Sequence, residues 1–457
     1  MYKKIMIAAL AFSVGTICSF NPVFSQSTNN IEKPGQVRLS RNEYSQNLQG
    51  FWLGLSIANW TGLMTESDRV DYPFYTDADW TENGVPLVTD LYGQDSDILS
   101  YVFVNEGEAW GSDDDSDFEY MYQHLMYEHE TSLLTAEQIR AGWLKHIYSN
   151  EDAPHYPKGS DHRENFLWVS NEKAYYLMKD QALVPPETSE PENNELYMRI
   201  DAQLTTEIFG LFAPARPDVA LKLSHLPIRV TAYGEAEWIS EFYVIMHSLA
   251  SVVDKSLSMK EQTTWLAEMA RKRLPENSYS AKMYDFVKSA YDANSDKDNW
   301  EHTRDAVYTR YQIGNGDGYQ FESPYDGGIN FAASLVSLFY GEGDLLKTIR
   351  VGSLAGWDSD NPTATWGGLL GFMLGKEGIE SAFGQFSLSE AFRITRTRRN
   401  FPDRTPDHIG EDTFPLMGER GIQVIDRVVT EQMGGMVDES GDNWLIPAYS
   451  LDQISAP

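Results

Sequence analysis

Carboxylates in three short, widely separated stretches are the residues of this chain with the most chemistry in them. The first stretch runs Gly50-Phe-Trp-Leu-Gly54-Leu-Ser-Ile-Ala58-Asn59-Trp-Thr-Gly62-Leu-Met-Thr-Glu66 and ends on an acid. The second is Ser112-Asp113-Asp114-Asp115-Ser116, and the third is Gly356-Trp357-Asp358-Ser359-Asp360-Asn361-Pro362. Adjacent carboxylates repel one another unless a cation or hydrogen bonds compensate, and Mg²⁺ takes oxygen ligands in octahedral geometry. A hard-cation site is therefore the chemistry these stretches offer. Each stretch also has a local use. Asp and Ser cap helix N-termini, and acids suit a first turn because of the helix dipole. Asn361 fits an N-cap and Pro362 the first helical position. Capping accounts for each stretch singly; the ordered set of three argues for a shared site.

The elements that must position these acids are helices. Small residues recur every fourth place from Gly50 to Gly62, which puts them on one stripe of a helix running from Leu48 to about Glu66. Glycine costs a helix about 1 kcal/mol relative to alanine, so its repetition implies that another backbone approaches closely. Gly367, Gly371 and Gly375 repeat the spacing after the third stretch. Apolar residues at helical spacing predict further helices at 117–126, 136–148, 198–212, 217–224, 236–253, 259–274, 280–293, 328–340, 344–355, 362–375 and 417–432. Residues 67–111 and 149–195 read as loop-rich, and no solenoid repeat is visible. The expectation is one all-α, mainly helical domain over 48–386. A polar N-terminal arm at 26–47 precedes it, and a C-terminal extension at 387–457 packs on the same domain.

The ordered set of motifs resembles the ADP-ribosylglycohydrolase family, in particular its bacterial and fungal ADP-ribosylglycohydrolase-like branch. Intermediate segments carry the likeness too: Val184-Pro-Pro186, Asn193-Asn-Glu195, Ile200-Asp-Ala-Gln203, Glu207-Ile-Phe-Gly210, Ala213-Pro-Ala-Arg-Pro217 and Gly234-Glu235. The resemblance covers most of residues 48–380 and implies an orthogonal helical bundle with loop-rich insertions. It implies a binuclear site, two Mg²⁺ ions with Mn²⁺ or Ca²⁺ as substitutes, held by Glu66, Asp113, Asp114, Asp115, Asp358, Asp360 and Asn361. It further implies that Asp115 or Glu66 transfers the proton, and that Gln203, Glu235 and Asn330 contact substrate. The chain departs from the family pattern where Asp113 replaces a hydroxyl ligand and Asn361 a threonine. Ala58-Asn59 replaces Gly-Asp, and Ala232-Tyr233 replaces a His-Asp step.

The remaining sequence narrows the setting. Lys3 and Lys4 precede an apolar run from Ile5 to Phe12, and small residues follow before Gln26, so residues 1–25 read as a cleaved signal peptide. The expectation is an exported protein, periplasmic or secreted, with no membrane anchor after cleavage. Cys18 is the only cysteine and leaves with the signal, so disulfides, thiolate nucleophiles and cysteine metal sites are excluded. The net charge of −32 opposes a phosphate backbone and excludes nucleic acid as a partner. The one basic cluster, Arg393 to Arg399, reads as a solvated strand edge. Asp292 to Asp298 begins like a calcium loop but has Lys297 where the turn needs glycine. The function expected is an exported Mg-dependent glycosyl hydrolase acting on a small-molecule or glycan substrate. The alternatives are a true ADP-ribosyl hydrolase and a catalytically silent carbohydrate- or nucleotide-binding protein.

Overall fold

The computed structural model describes residues 35–82, 84–86, 98–156, 161–406 and 409–457. The segment read as a signal peptide, residues 1–25, lies outside the described residues, as does the first part of the arm. Helices dominate, as the periodicity predicts, and the strands are few and short. No helix among the described residues is long and apolar enough to cross a membrane.

Two long helices form the spine. The N-terminal helix, Arg41–Gly62, begins seven residues earlier than its apolar pattern suggests, because Ser40 caps it through Glu43 N–H. Residues 36–47 are accordingly not an arm. Gln36–Ser40 is a strand paired antiparallel with Asn443–Pro447, and that strand pairs in turn with Met436–Val437. Its partner in the spine is the helix Asp360–Phe383, which kinks at Gly375, where φ is +68°. The two run antiparallel with their small-residue stripes in contact. A Cβ on Gly50 would lie 2.3 Å from Gly371 O, and one on Gly54 would lie 2.2 Å from Gly367 O. Only glycine permits that approach, so the stripe is a packing device that fixes where each helix ends. The end of one meets the start of the other: a Cβ on Gly62 would lie 2.3 Å from Asp360 Cα.

Other elements pack around this pair. The helix Asp114–Glu128 brings the second acidic stretch inward, and the C-terminal helix Phe414–Glu431 packs on the N-terminal helix. Trp110–Gly111 pairs in parallel with Ala391–Arg393, which also pairs antiparallel with Asp412–Thr413. Residues 387–457 are thus interleaved with the helical body by strand pairing at both ends. The loop-rich reading of 149–195 missed the helix Val169–Asp180. The helix expected at 198–212 is two short ones, Asp201–Thr205 and Ile208–Phe212. The basic cluster is not a solvated edge. Only Ala391–Arg393 is strand, and Arg398 is fully buried, 3.0 Å from the equally buried Asp117. Its guanidinium also donates to the carbonyls of Asn165 and Phe166, so the charge folds a loop rather than facing water.

Candidate metal centre

Each acidic stretch is presented by a turn at the end of a helix. Asp113 is the N-cap of Asp114–Glu128, its backbone N–H donating to Ser116 Oγ at 3.2 Å, so Asp114 and Asp115 occupy the first turn. Glu66 lies just beyond the N-terminal helix, which stops at Gly62 rather than reaching it. The turn carrying Glu66 is laced to the turn carrying Asp358. Ser67 N–H donates to Trp357 O at 2.8 Å, Trp357 N–H to Arg69 O at 3.1 Å, and Thr65 and Ser359 hydroxyls meet at 2.9 Å. Ser67 and Trp357 both take left-handed backbone, at φ of +59° each. Trp357 is held there by its buried indole, which donates to Gln312 Oε1 at 2.6 Å. Gln312 sits on a π-helical turn, Tyr308–Ile313, of the kind often found beside functional sites.

These turns bring the three acidic stretches together. Carboxylate oxygens of Glu66, Asp358 and Asp360 lie within 4.8 Å of one another, and so do those of Asp113, Asp115 and Asp360. Asp360 belongs to both groups, which is the arrangement two neighbouring cations need. Asp113, Asp115, Asp358 and Asp360 are buried, and Asp360 Oδ1 has no hydrogen-bond partner among the described residues. Two amides hold the cluster open. Asn59 Nδ2 donates to Asp113 and Asp115 at 3.1 Å each, and Asn361 Nδ2 donates to the other oxygen of Asp115 at 3.0 Å. Asn361 thus offers the cluster a donor and sits behind Asp115. Burial, then repulsion from Asp113 and Asp68, pushes Glu66 up to about 7. Burial first and neighbouring carboxylates second also push Asp114, Asp115, Asp358 and Asp360 well above the carboxylate range. Groups so arranged want a positive charge, and an all-oxygen donor set suits a hard divalent cation such as Mg²⁺, Mn²⁺ or Ca²⁺.

The acids form the floor of a cavity of about 410 Å³. Its walls are apolar side chains, Leu63, Val169, Ile200 and Leu204, with the rings of Trp168 and Tyr325. Val169 has φ of +44°, unusual for a β-branched residue, and the turn is fixed by Asp201. That carboxylate accepts from Ser170 Oγ at 2.5 Å and Asn171 N–H at 2.9 Å. Behind the floor, Glu119 accepts from Ile208 N–H at 3.0 Å and Glu207 accepts from Thr365 Oγ1 at 2.6 Å, tying three helices together.

The three expected substrate contacts do not line this cavity. Glu235 instead accepts from Tyr279 N–H and from the backbone and hydroxyl of Ser280, capping the helix Tyr279–Ala293. Asn330 accepts from Asp358 N–H at 3.2 Å and donates to Pro324 O, so it positions an acid. Gln203 is buried beside Gly327, and neither atom of its amide has a hydrogen-bond partner among the described residues. Trp168, Tyr325 and Asp201 line the cavity without having been expected there; Asp201 lies in the Ile200-Asp-Ala-Gln203 segment that carries the family likeness, and no local pattern marks the other two. Asn59, noted above only as part of a departure from the family pattern, lies three positions before Gly62, the residue that abuts Asp360, and could have been placed at the acids on that spacing.

The model of the ADP-ribosylglycohydrolase family matches residues 40–393 of the chain. Among solved structures the chain is similar to one titled "ADP-ribosylglycohydrolase-related protein complex", at 13% identity and a TM-score of 0.48. The likeness covers 84% of this chain and 99% of that one. No curated protein matches.

Proposed function

The chain belongs to the ADP-ribosylglycohydrolase family, and on that premise we propose that it is a Mg²⁺-dependent glycosyl hydrolase acting on a ribosyl or other glycosyl bond. The observation that carries the proposal is the convergence of Glu66, Asp113, Asp115, Asp358 and Asp360 into two groups sharing Asp360 at the floor of one cavity. Family members use divalent metals, and the donor set fits them. Glu66, Asp358 and Asp360 would hold one ion and Asp113, Asp115 and Asp360 the other, with Asp114 beside them. Bound there, such ions grip sugar hydroxyls and lower the pKa of water.

The chain's own residues supply the rest. Both oxygens of Asp115 are taken by amide donors, which anchors it as an acceptor of fixed orientation. Glu66 offers one oxygen to the first acid group and accepts no hydrogen bond from the described residues, which leaves its second oxygen to relay a proton. We assign it the proton shed by the attacking water, which it passes to the leaving atom as the glycosidic bond breaks. The positive charge that develops on the anomeric carbon faces a wall of acids, which lowers its energy in a dry site. The reading includes export by residues 1–25.

The test is a substrate panel: the mature protein with Mg²⁺ on ADP-ribosyl substrates and on aryl glycosides, beside Glu66→Gln and Asp360→Asn. Turnover that both substitutions abolish is the expected result. Binding without turnover of any member would replace the hydrolase with a silent binding protein. Turnover of ADP-ribosyl substrates alone would narrow the activity to the family's own.

A further inference from the structure

The family match ends at residue 393, and the chain beyond it runs between the acid floor and the wall that carries Trp168. On the floor side, Ser112 N–H donates to Arg393 O at 3.1 Å, and the Ser112 and Thr397 hydroxyls meet at 2.7 Å, next to Asp113. Arg396 donates to Ser112 O. Arg398 pairs at 3.0 Å with Asp117, on the helix that presents Asp114 and Asp115. On the wall side, Arg398 Nη1 donates to Asn165 O at 3.2 Å and Nη2 to Phe166 O at 3.0 Å, just before Trp168. The Arg396 guanidinium lies over the Phe166 ring at 5.1 Å and over the Trp60 ring of the N-terminal helix at 4.9 Å, contacts that favour a cation. Both arginines therefore touch floor and wall together. The wall turn needs such support. Phe166 and Val169, on either side of Trp168, take left-handed backbone at φ of +55° and +44°, which side chains like these keep only where the surroundings hold it. Asp201 holds the far end of the turn through Ser170 and Asn171, and the Arg398 fork holds the near end.

We propose that Arg396 and Arg398 are positioning residues for the cavity, holding the turn that bears Trp168 at one spacing from the acid floor. The proposal goes beyond the hydrolase reading, because it concerns the cavity and not the bond cleaved. Both arginines act through other residues: Arg398 through the carbonyls of the turn and Asp117, Arg396 through Phe166 and Ser112. A buried ion pair often gains no stability over apolar side chains of the same size, so what Arg398 and Asp117 supply is geometry. Arginine suits that use, since its planar fork meets a carboxylate and two carbonyls at once from fixed directions.

The experiment is amide hydrogen exchange on the mature protein, comparing wild type with Arg398→Lys and Arg396→Gln. Lysine keeps a charge for Asp117 but offers one nitrogen where the guanidinium uses two. Glutamine can still donate to Ser112 O but brings no charge to the two rings. In both variants the turn should loosen while the fold stays. The amides of Phe166, Leu167 and Asn171, which donate to Glu164, Asn165 and Asp201, should exchange roughly tenfold faster, the worth of one hydrogen bond to a charged group. The floor helix Asp114–Glu128 should keep its wild-type rates, and the urea midpoint should stay close to that of wild type. Wild-type rates at the turn in a folded variant would strike the substituted arginine from the proposal, and in both variants would overturn it. Faster exchange spread equally over turn and floor helix, with a lowered midpoint, would make the arginines general stabilisers and refute the positioning role. Arg396 is only partly buried, so its variant keeps the test decisive if Arg398→Lys does not fold.

Discussion

Gly62→Ala should weaken both the fold and the cation site, because the missing side chain of Gly62 is what lets Asp360 stand where it does. A Cβ at this position would lie 2.3 Å from Asp360 Cα, 2.9 Å from Asp360 N and 2.9 Å from Ser359 O, all of them backbone. Carbon atoms in contact sit about 3.5–4.0 Å apart, so the two chains must separate by roughly 1.2 Å or more. Overpacking of this kind costs about 1–3 kcal/mol. Alanine's helix preference returns at most about 1 kcal/mol, and less here because Gly62 is the last residue of its helix. The expected net loss is about 1–2 kcal/mol, read as a lower urea midpoint with an unchanged slope. The displacement also exceeds several-fold the roughly 0.2 Å tolerance of a metal–ligand distance, and Asp360 serves both acid groups. Calorimetric Mg²⁺ affinity should therefore fall at least tenfold, about 1.4 kcal/mol. Gly54→Ala is the control. Its Cβ would meet Gly367 O at 2.2 Å, an equal clash two turns from the acids. It should cost similar stability and much less Mg²⁺ affinity. Equal affinity losses in the two variants, or none in Gly62→Ala, would refute the claim that the small-residue stripe sets the position of the acids.

Three further outcomes are expected. Chelating divalent cations should lower the melting temperature, and Mg²⁺ at about a hundred times its Kd should restore about 2.7 kcal/mol; a melting curve indifferent to Mg²⁺ would remove the cation site. Arg398→Met leaves Asp117 buried without its cation and frees two loop carbonyls, so urea denaturation at pH 8 should show a loss of about 3–5 kcal/mol; a loss under 1 kcal/mol would show that the pair is dispensable. Burial lowers His247 to about 4 from its usual 6.5, while its Nδ1–H donates to Tyr243 O. A depressed base contributes stability that is present above pH 6.5 and lost as pH falls toward 4, because only the unfolded chain takes the proton. The stability advantage of wild type over His247→Gln should accordingly shrink by about 2 kcal/mol between pH 7 and pH 5, and a gap that stays constant would contradict the burial argument.

The helical body was legible because apolar periodicity is a local signal that burial enforces, and the small-residue stripe announced a helix contact before any partner was known. The acids were legible as an ordered set, although the capping roles of Asp113 and Ser116 are real as well. Boundaries shifted where a cap outside the apolar pattern set the helix start, as Ser40 does. The substrate side was not legible for a physical reason. Gln203, Glu235 and Asn330 are polar residues near the right segments, but none lines the cavity: Glu235 and Asn330 hold backbone groups and Gln203 lies against Gly327. The true walls, Trp168 and Tyr325, lie in turns whose geometry depends on distant partners, Asp201 for the first and Ser67 for the second. Arg398 misled for the same reason: a run of arginines looks solvated until Asp117 and the carbonyls of Asn165 and Phe166 close around it.

Natural sequences satisfy local rules nearly everywhere, and departures from them collect where function overrides stability. Here the departures converge. Glycines stand inside two helices where alanine would be favoured, and the reason is an approach that ends at Asp360. Ser67, Val169 and Trp357 take left-handed backbone, and the first and third carry Glu66 and Asp358 on the neighbouring residue. Carboxylates that burial and mutual repulsion push up in pKa face one another without a basic residue among the described lining. Each departure alone would cost about a kcal/mol or more, and the close helix approach that the glycines allow is what sets Asp360 among the other acids. A neutral amide at Asn59 relieves part of the repulsion, which a second aspartate there would have increased. The cavity is thus a place where several independent costs are tolerated together, and a bound cation is the change that would relieve the repulsion among its acids.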